Sequence, residues 1–276
     1  MFKKLLLVFG LLFSTLATGT SLATTTVAKP ELVKLTEDNF VVLRGPINGQ
    51  SSSKFITDLL DKKSKDLYVY LNTGGGSITG GMQIIQTLKA LELAGTTVNC
   101  ITNVGLSMGF VITQYCQNRL VIASSILMQH QASFSAEGPV NNVNSYVDFI
   151  HSMVNEIDVH QAHRMNMTLK DFKEKVRDDW WLIGSEAVKH GAADKLVYVL
   201  CDFKNQLVKE KIDTIFGEVT VTYSKCPLAK DPQKIEFGRH VENSDKERIL
   251  DDIVLDKVID KHKRKNQHSN TNILLF

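Results

Sequence analysis

Apolar and polar positions alternate along this chain in two rhythms. Phe40 to Leu43 and Leu67 to Leu71 are short, nearly continuous apolar runs, and each predicts a strand buried on both faces. Between them, Phe55, Ile56, Leu59 and Leu60 recur at helical spacing and predict a helix over Ser52 to Leu60. Gly74, Gly75 and Gly76 break the second strand, and Ile78 to Leu93 resumes a helical stripe through Met82, Ile85, Leu88 and Leu91. Val98 to Ile101 predicts a strand and Ser107 to Tyr115 a helix. Arg119 to Ala123 and Ile126 to Gln129 are strand-like. Phe149, Ile150, Met153, Val154 and Ile157 mark a long helix from about Ser145 to Met165. Strands that alternate with helices imply an α/β fold around a mostly parallel sheet.

The character changes near residue 200. Glu218 to Ser224 alternates as a strand does, and Ser244 to Glu247 has the form of a capping box opening a helix. That helix carries one apolar stripe, Ile249, Leu250, Ile253, Val254, Val258 and Ile259. The basic residues Lys261 to Lys265 close it, where cations suit a helix C-terminus. Residues 200–276 are therefore read as an α+β extension appended to a main domain at 31–199. No internal repeat is evident.

At the other end, Lys3 and Lys4, the apolar stretch Leu5 to Phe13 and the small residues around Ala23 form the three parts of a secretory leader, 1–23. The apolar stretch is too short to span a membrane comfortably. An exported protein, periplasmic or secreted, is the expectation. The chain of 276 residues has a formal charge of +2. Removal of the leader would leave 30 basic and 30 acidic residues, and such a neutral balance gives no reason to expect nucleic acid as a partner. The four cysteines, 100, 116, 201 and 226, have neither CxxC nor zinc-finger spacing. Cys100 and Cys116 lie in apolar segments and read as buried thiols. Cys201 and Cys226 flank a polar stretch, and an oxidising compartment would favour a bridge between them, contributing about 3 kcal/mol.

Gly105-Leu106-Ser107-Met108-Gly109 is a G-x-S-x-G sequence between a predicted strand and a predicted helix. Such a turn exposes a serine at a helix N-terminus, where developing negative charge is favoured. The turn Asn72 to Gly76 also follows a buried strand, and its glycines let backbone N–H groups approach a reacting carbonyl. No phosphate-loop sequence is present. His130 ends a strand-like run and could act as base to Ser107. Asp178 and Asp179, before Trp180 and Trp181, could orient that base. Spacing alone leaves this set open, since small residues at tight turns are usually packing and a lone histidine is usually a hydrogen bonder. His160, His163 and Glu156 share a helix face, which reads as solvated surface because no further metal ligand accompanies them. No metal or cofactor is implied. Asn166-Met167-Thr168 would accept glycan only in a eukaryotic host.

Four blocks taken together resemble the proteolytic subunit of Clp protease. They are Leu71 to Met82, Ser107 to Gly109, Leu127 to Gln131, and Asp179 to Trp181 with Ser185 to Asp194, and they agree in content, order and approximate separation across about 31–199. The resemblance implies a spiral of repeated ββα units (the ClpP/crotonase fold) and a Ser/His/Asp triad. Ser107 falls on the family's nucleophile, His130 on its base and Asp179, rather than Asp178, on the orienting carboxylate. Gly76 and Met108 fall on the residues whose N–H groups form the oxyanion hole. The helix from Ser145 would be the handle through which rings stack as homo-oligomers. The sequence departs from the family where Gly74 and Ala132 replace proline and where Leu106 replaces a small residue, which bears on substrate preference. An exported relative would meet neither ATP nor the ATP-driven unfoldase the family works with. The expected substrates are peptides or unfolded proteins, cleaved without ATP or with a different gatekeeper.

Two rival readings follow from the same residues. An α/β-hydrolase esterase would place its acid and histidine late, for example at Asp194 and His240, and leaves the Asn72 turn unexplained. A catalytically inactive scaffold or peptide-binding protein is suggested by the altered residues Leu106 and Ala132.

Overall fold

A computed structural model describes residues 31–262. The leader and the basic cluster from Lys263 onward lie outside the described residues. The main domain runs β1 (Glu31–Leu35), β2 (Phe40–Arg44), α1 (Gly49–Leu60), β3 (Asp66–Thr73), α2 (Ile78–Leu93), β4 (Thr97–Leu106), α3 (Met108–Tyr115) and β5 (Asn118–Gln129). It continues through α4 (Val140–Arg164), α5 (Leu169–Lys175), β6 (Trp180–Ile183), α6 (Gly184–Lys189) and β7 (Lys195–Cys201). The seven-stranded sheet has the order β1-β7-β5-β4-β3-β2, with parallel neighbours, while β6 pairs antiparallel with β5. The chain is thus an α/β protein of successive strand–helix units around a parallel sheet, as the two rhythms predict.

The elements differ from the sequence expectation where tertiary packing overrides local signals. The strand expected over Val98 to Ile101 continues to Leu106, and the two strand-like pieces after Arg119 are one strand, β5. Ser125 sustains that continuity: its Oγ accepts from Ile122 N–H at 2.8 Å and donates to Thr102 O at 2.6 Å. Leu60, placed on the inner face of α1 by its spacing, is exposed, while Phe55 and Leu59 are buried. Phe149 likewise faces outward from α4, whereas Ile150 and Ile157 face the core.

Beyond β7, a three-stranded antiparallel sheet of β8 (Leu207–Thr214), β9 (Gly217–Ser224) and β10 (Lys234–Phe237) packs under α7 (Asn243–Ile253). The helix expected to start from a capping box at Ser244 instead takes Glu242 as N-cap, without a side-chain cap bond. The single long stripe is also corrected. Val254 is extended (φ −84°, ψ 111°), so the helix stops at Ile253 and a second one, α8, runs over 255–262. The break divides the stripe. Ile249 and Ile253 pack on the small sheet with Val219 and Val221, while Leu255, Val258 and Ile259 pack on Val104, Leu106 and Met128 of the main domain. Burying three such side chains contributes about 1.5–3 kcal/mol each.

Several contacts fasten the extension to the main sheet. Cys201 is bonded to Cys226, with their Cα atoms 5.9 Å apart. Cys100 and Cys116, read from their surroundings as separate thiols, are bonded to each other across the same Cα distance, because β4 and the end of α3 bring them together. The nearly buried Arg44 donates from Nη2 to Ser224 O at 2.9 Å, approaches Glu210 and lies over the Tyr223 ring. Asn72 Nδ2 donates to Pro227 O at 3.0 Å from a fully buried position. Among the described residues, no helix is long and apolar enough to cross a membrane.

Candidate active site

The site forms where the ends of β3, β4 and β5 come together. β4 ends at Leu106 and α3 begins at Met108, so the residue between them must reverse the chain. Ser107 does so at φ 53° and ψ −116°, one of two non-glycine residues with positive φ among those described. Such a conformation costs of order 1–3 kcal/mol and persists only where the surroundings impose it. They do so here: Ser107 N–H donates to Met128 O at 2.8 Å, and Ser107 O accepts from Val111 N–H at 3.1 Å. The serine hydroxyl is thereby held at the N-terminus of α3, half-exposed, with the helix locked beneath it.

The Gly-rich turn after β3 lies directly against this serine. Gly75 has φ +87°, and a Cβ there would stand 2.5 Å from Leu106 O and 3.0 Å from Met108 N. Gly76 has φ +142°, and a Cβ would strike Ile47 O at 2.3 Å. Both positions require glycine on conformational and spatial grounds. Thr73 stabilises the turn by donating from Oγ1 to Gly45 O at 2.6 Å and accepting from Gly75 N–H at 3.0 Å. The turn therefore passes beside the serine through Gly75, while Gly76 packs against the Ile47 backbone.

His130 follows β5 by one residue, and its Nε2 lies 2.9 Å from Ser107 Oγ. Its Nδ1 lies 3.8 Å from Asp179 Oδ1. The Asp179 side chain, just before β6, is largely buried. The antiparallel pairing of β6 with β5 sets Gln129 opposite Trp180, which brings Asp179 beside His130. Asp178, the alternative carboxylate, points outward to Arg177 Nε at 3.5 Å. Asp194, the acid of the esterase reading, is taken up by Arg119, which donates to it from Nε, Nη2 and its backbone N–H. His160 stacks on Tyr115 and meets Gln114 O at 3.1 Å, so it serves the packing of α4. Burial holds its imidazole below the ordinary value of 6.5. Among the described residues, no group of His, Cys, Asp and Glu could hold a metal ion.

These side chains open onto a cleft of about 340 Å³. Gly74 to Gly76, Ser107, Met108 and His130 line one part, and Ile78, Val111, Val154 and Ile157 give it an apolar floor. The remaining wall comes from the extension, through Asp251, Asp252, Val258, Lys261 and His262. Sequence reading did not assign these residues to the site.

A serine–histidine–aspartate set beside a Gly-rich turn coincides with a match over residues 25–199, most of the chain, to the family model described as Clp protease. The chain belongs to the Clp protease family. It is 23% identical over 172 residues to the ATP-dependent Clp protease proteolytic subunit of Streptococcus suis (strain 98HAH33), covering 59% of this chain and 87% of the relative. The proteins of the same name from Streptococcus pyogenes serotype M5 (strain Manfredo) and Streptococcus equi subsp. equi (strain 4047) match with the same identity and coverage. The family match ends at residue 199, and the α8 wall lies beyond it. Two residues of the Clp protease domain, Gly74 and Leu106, face that wall. A Cβ on Gly74 would stand 2.5 Å from Val258 Cγ1, and Leu106 packs in the cluster with Leu255, Val258 and Ile259.

Proposed function

We propose that this member of the Clp protease family is an exported serine endopeptidase, cleaving peptides or unfolded proteins through Ser107, His130 and Asp179. The observation that carries this reading is the 2.9 Å approach of His130 Nε2 to Ser107 Oγ, at a strained turn opening a helix. His130 takes the hydroxyl proton as Ser107 attacks the scissile carbonyl, and the oxyanion is received by the Gly76 and Met108 N–H groups. His130 then delivers that proton to the leaving amine, and water releases the acyl group from Ser107 by the same steps in reverse. Asp179 orients the imidazole and fixes its tautomer. Asp179 Oδ1 lies 3.8 Å from His130 Nδ1, longer than a hydrogen bond, and catalytic contacts that are long in a free enzyme often tighten in the substrate complex.

Export is supported by the leader-like sequence of residues 1–23 and by the bonding of all four cysteines, since disulfides persist in oxidising compartments. In such a compartment an ATP-driven unfoldase has no fuel, so cleavage proceeds without ATP. Homo-oligomeric assembly through α4 completes the reading. A fluorophosphonate should label Ser107 in the folded protein and not after denaturation. Ser107→Ala should lower peptide cleavage by about 10⁴-fold or more. Equal cleavage by Ser107→Ala and wild type would overturn the assignment. N-terminal sequencing of exported protein tests the leader, and a mature chain beginning near Thr24 is the expected result.

A further inference from the structure

The extension has no counterpart in the family match, yet it supplies a wall of the cleft. α8 starts where Val254 breaks the helical stripe, and its first N–H is held by a side chain: Leu255 N–H donates to Asp231 Oδ1 at 3.0 Å. Leu255, Val258 and Ile259 are buried against Leu106 and Met128, the residues that precede the serine turn and accept its N–H. Val258 abuts the backbone of Gly74, at the mouth of the Gly-rich turn. One turn later, the His262 ring lies 6.1 Å from the His130 ring and 6.4 Å from that of Trp181, with its Nδ1 against Val258 O at 2.9 Å. Lys261 reaches back to Asp252 at 2.9 Å, which ties α8 to α7 across the same cleft.

Val258, Lys261 and His262 line the same cleft as Ser107. A small acyl group needs little of that cleft beyond Ser107 and the turn beside it. A long chain must continue past the scissile bond in both directions, and the cleft beside Gly74 is lined by Val258 and His262. We propose that α8 is a substrate-selecting wall, with Val258 and His262 as specificity-determining residues that favour short peptides and small acyl compounds over long unfolded chains. This rests on the serine peptidase reading and narrows its substrate class. It also accounts for Gly74, because a residue with a Cβ, proline included, would collide with Val258.

The test compares turnover of p-nitrophenyl acetate with that of fluorescein-labelled casein, using the full chain and two undocked forms. Leu255→Asp/Ile259→Asp removes the apolar anchors, and a chain ending at Val254 removes α8. Both should raise the ratio of casein to ester turnover at least tenfold over wild type. A casein-to-ester ratio unchanged in variants whose Ser107 still labels overturns the wall and leaves the peptidase reading standing. Wild-type protein that neither labels at Ser107 nor turns over either substrate overturns both. A measurement on the unmodified chain does not depend on how the variants fold. A fluorophosphonate bearing a long peptide arm should react at least tenfold more slowly than the bare reagent, and its attachment should raise hydrogen exchange across 255–262. Equal reaction rates, or exchange unaltered by the arm, overturn the wall.

Discussion

At the scale of single residues, the site depends on positions that tolerate no alternative. Gly76 combines φ +142° with an approach to Ile47 O that leaves no room for a Cβ. Gly76→Ala must therefore move the turn, and under the proposed function it takes the Gly76 N–H away from the oxyanion. Loss of one such donor lowers kcat by about 10²–10³-fold. The expected outcome is that fall in kcat with little change in KM, measured on a short peptide; an unchanged kcat would remove Gly76 from the oxyanion hole. Asp194 illustrates a structural charge. Burial pushes its carboxyl up, but the hydrogen bonds from the Arg119 side chain and backbone, together with the Arg119 charge, prevail and hold it below 3.8. A carboxyl depressed in the folded state contributes stability above its unfolded pKa and loses it as pH falls through the folded value. Stability should therefore decline below about pH 4, and Asp194→Asn should flatten that decline in acid melts. At neutral pH the same substitution should cost about 2–3 kcal/mol, less than for a fully buried pair because the carboxylate is partly exposed. The serine, histidine and acid candidates could be named from sequence because each sits beside a local signal: a G-x-S-x-G turn, the end of an apolar run, a pair of tryptophans. Val258 and His262 could not, because nothing near them in sequence speaks of a cleft; only Gly74 and Leu106, more than 150 residues earlier, register their presence.

At the scale of elements, the strands and helices of the main domain follow from periodicity wherever one face is buried and the other is wet. Periodicity loses its hold where an element is buried all round, as α3 is, or where one apolar stripe serves two cores. The stripe from Ile249 to Ile259 reads as one helix because its spacing is continuous, and only the existence of two separate surfaces to cover explains the break at Val254. The same limit hid the Cys100–Cys116 bond, since pairing depends on how β4 and α3 pack and not on the sixteen-residue separation itself. The Cys201–Cys226 bond is the element that ties the extension at its root, closing a separation of 25 residues. Replacing both cysteines with serine should cost about 3 kcal/mol. Thermal melts read that loss, and limited proteolysis should cut first between 202 and 225. A variant that melts with wild type and resists protease there would show that Arg44, Asn72 and the α8 packing hold the extension without the bond.

At the scale of the whole molecule, α4 is out of proportion to the core it covers. Its 25 residues span about 37 Å, yet only Ile150, Ile157, Gln161 and Ala162 along it are buried. Its N-terminal half instead presents Val140, Tyr146 and Phe149, and Phe134 from the preceding segment joins them; the Phe134 and Tyr146 rings are 6.3 Å apart and those of Tyr146 and Phe149 are 6.4 Å apart. Scattered surface apolar residues need no explanation, but a contiguous aromatic patch on a protruding helix marks a surface that another protein covers. Under the proposed function, that partner is a second copy of this chain, meeting it through α4. Tyr146→Asp/Phe149→Asp places two charges in the centre of the patch without touching the core on the opposite side of the helix. Sedimentation velocity should show the wild type as an oligomer and the double variant as a smaller species of unaltered thermal stability. Ser107 in that smaller species should still label with fluorophosphonate, because α3, β5 and β6 place the serine, histidine and aspartate within one chain. An oligomer of the same size in the double variant would move the interface elsewhere. Loss of labelling with intact folding would mean that assembly, and not the single chain, sets the geometry at Ser107.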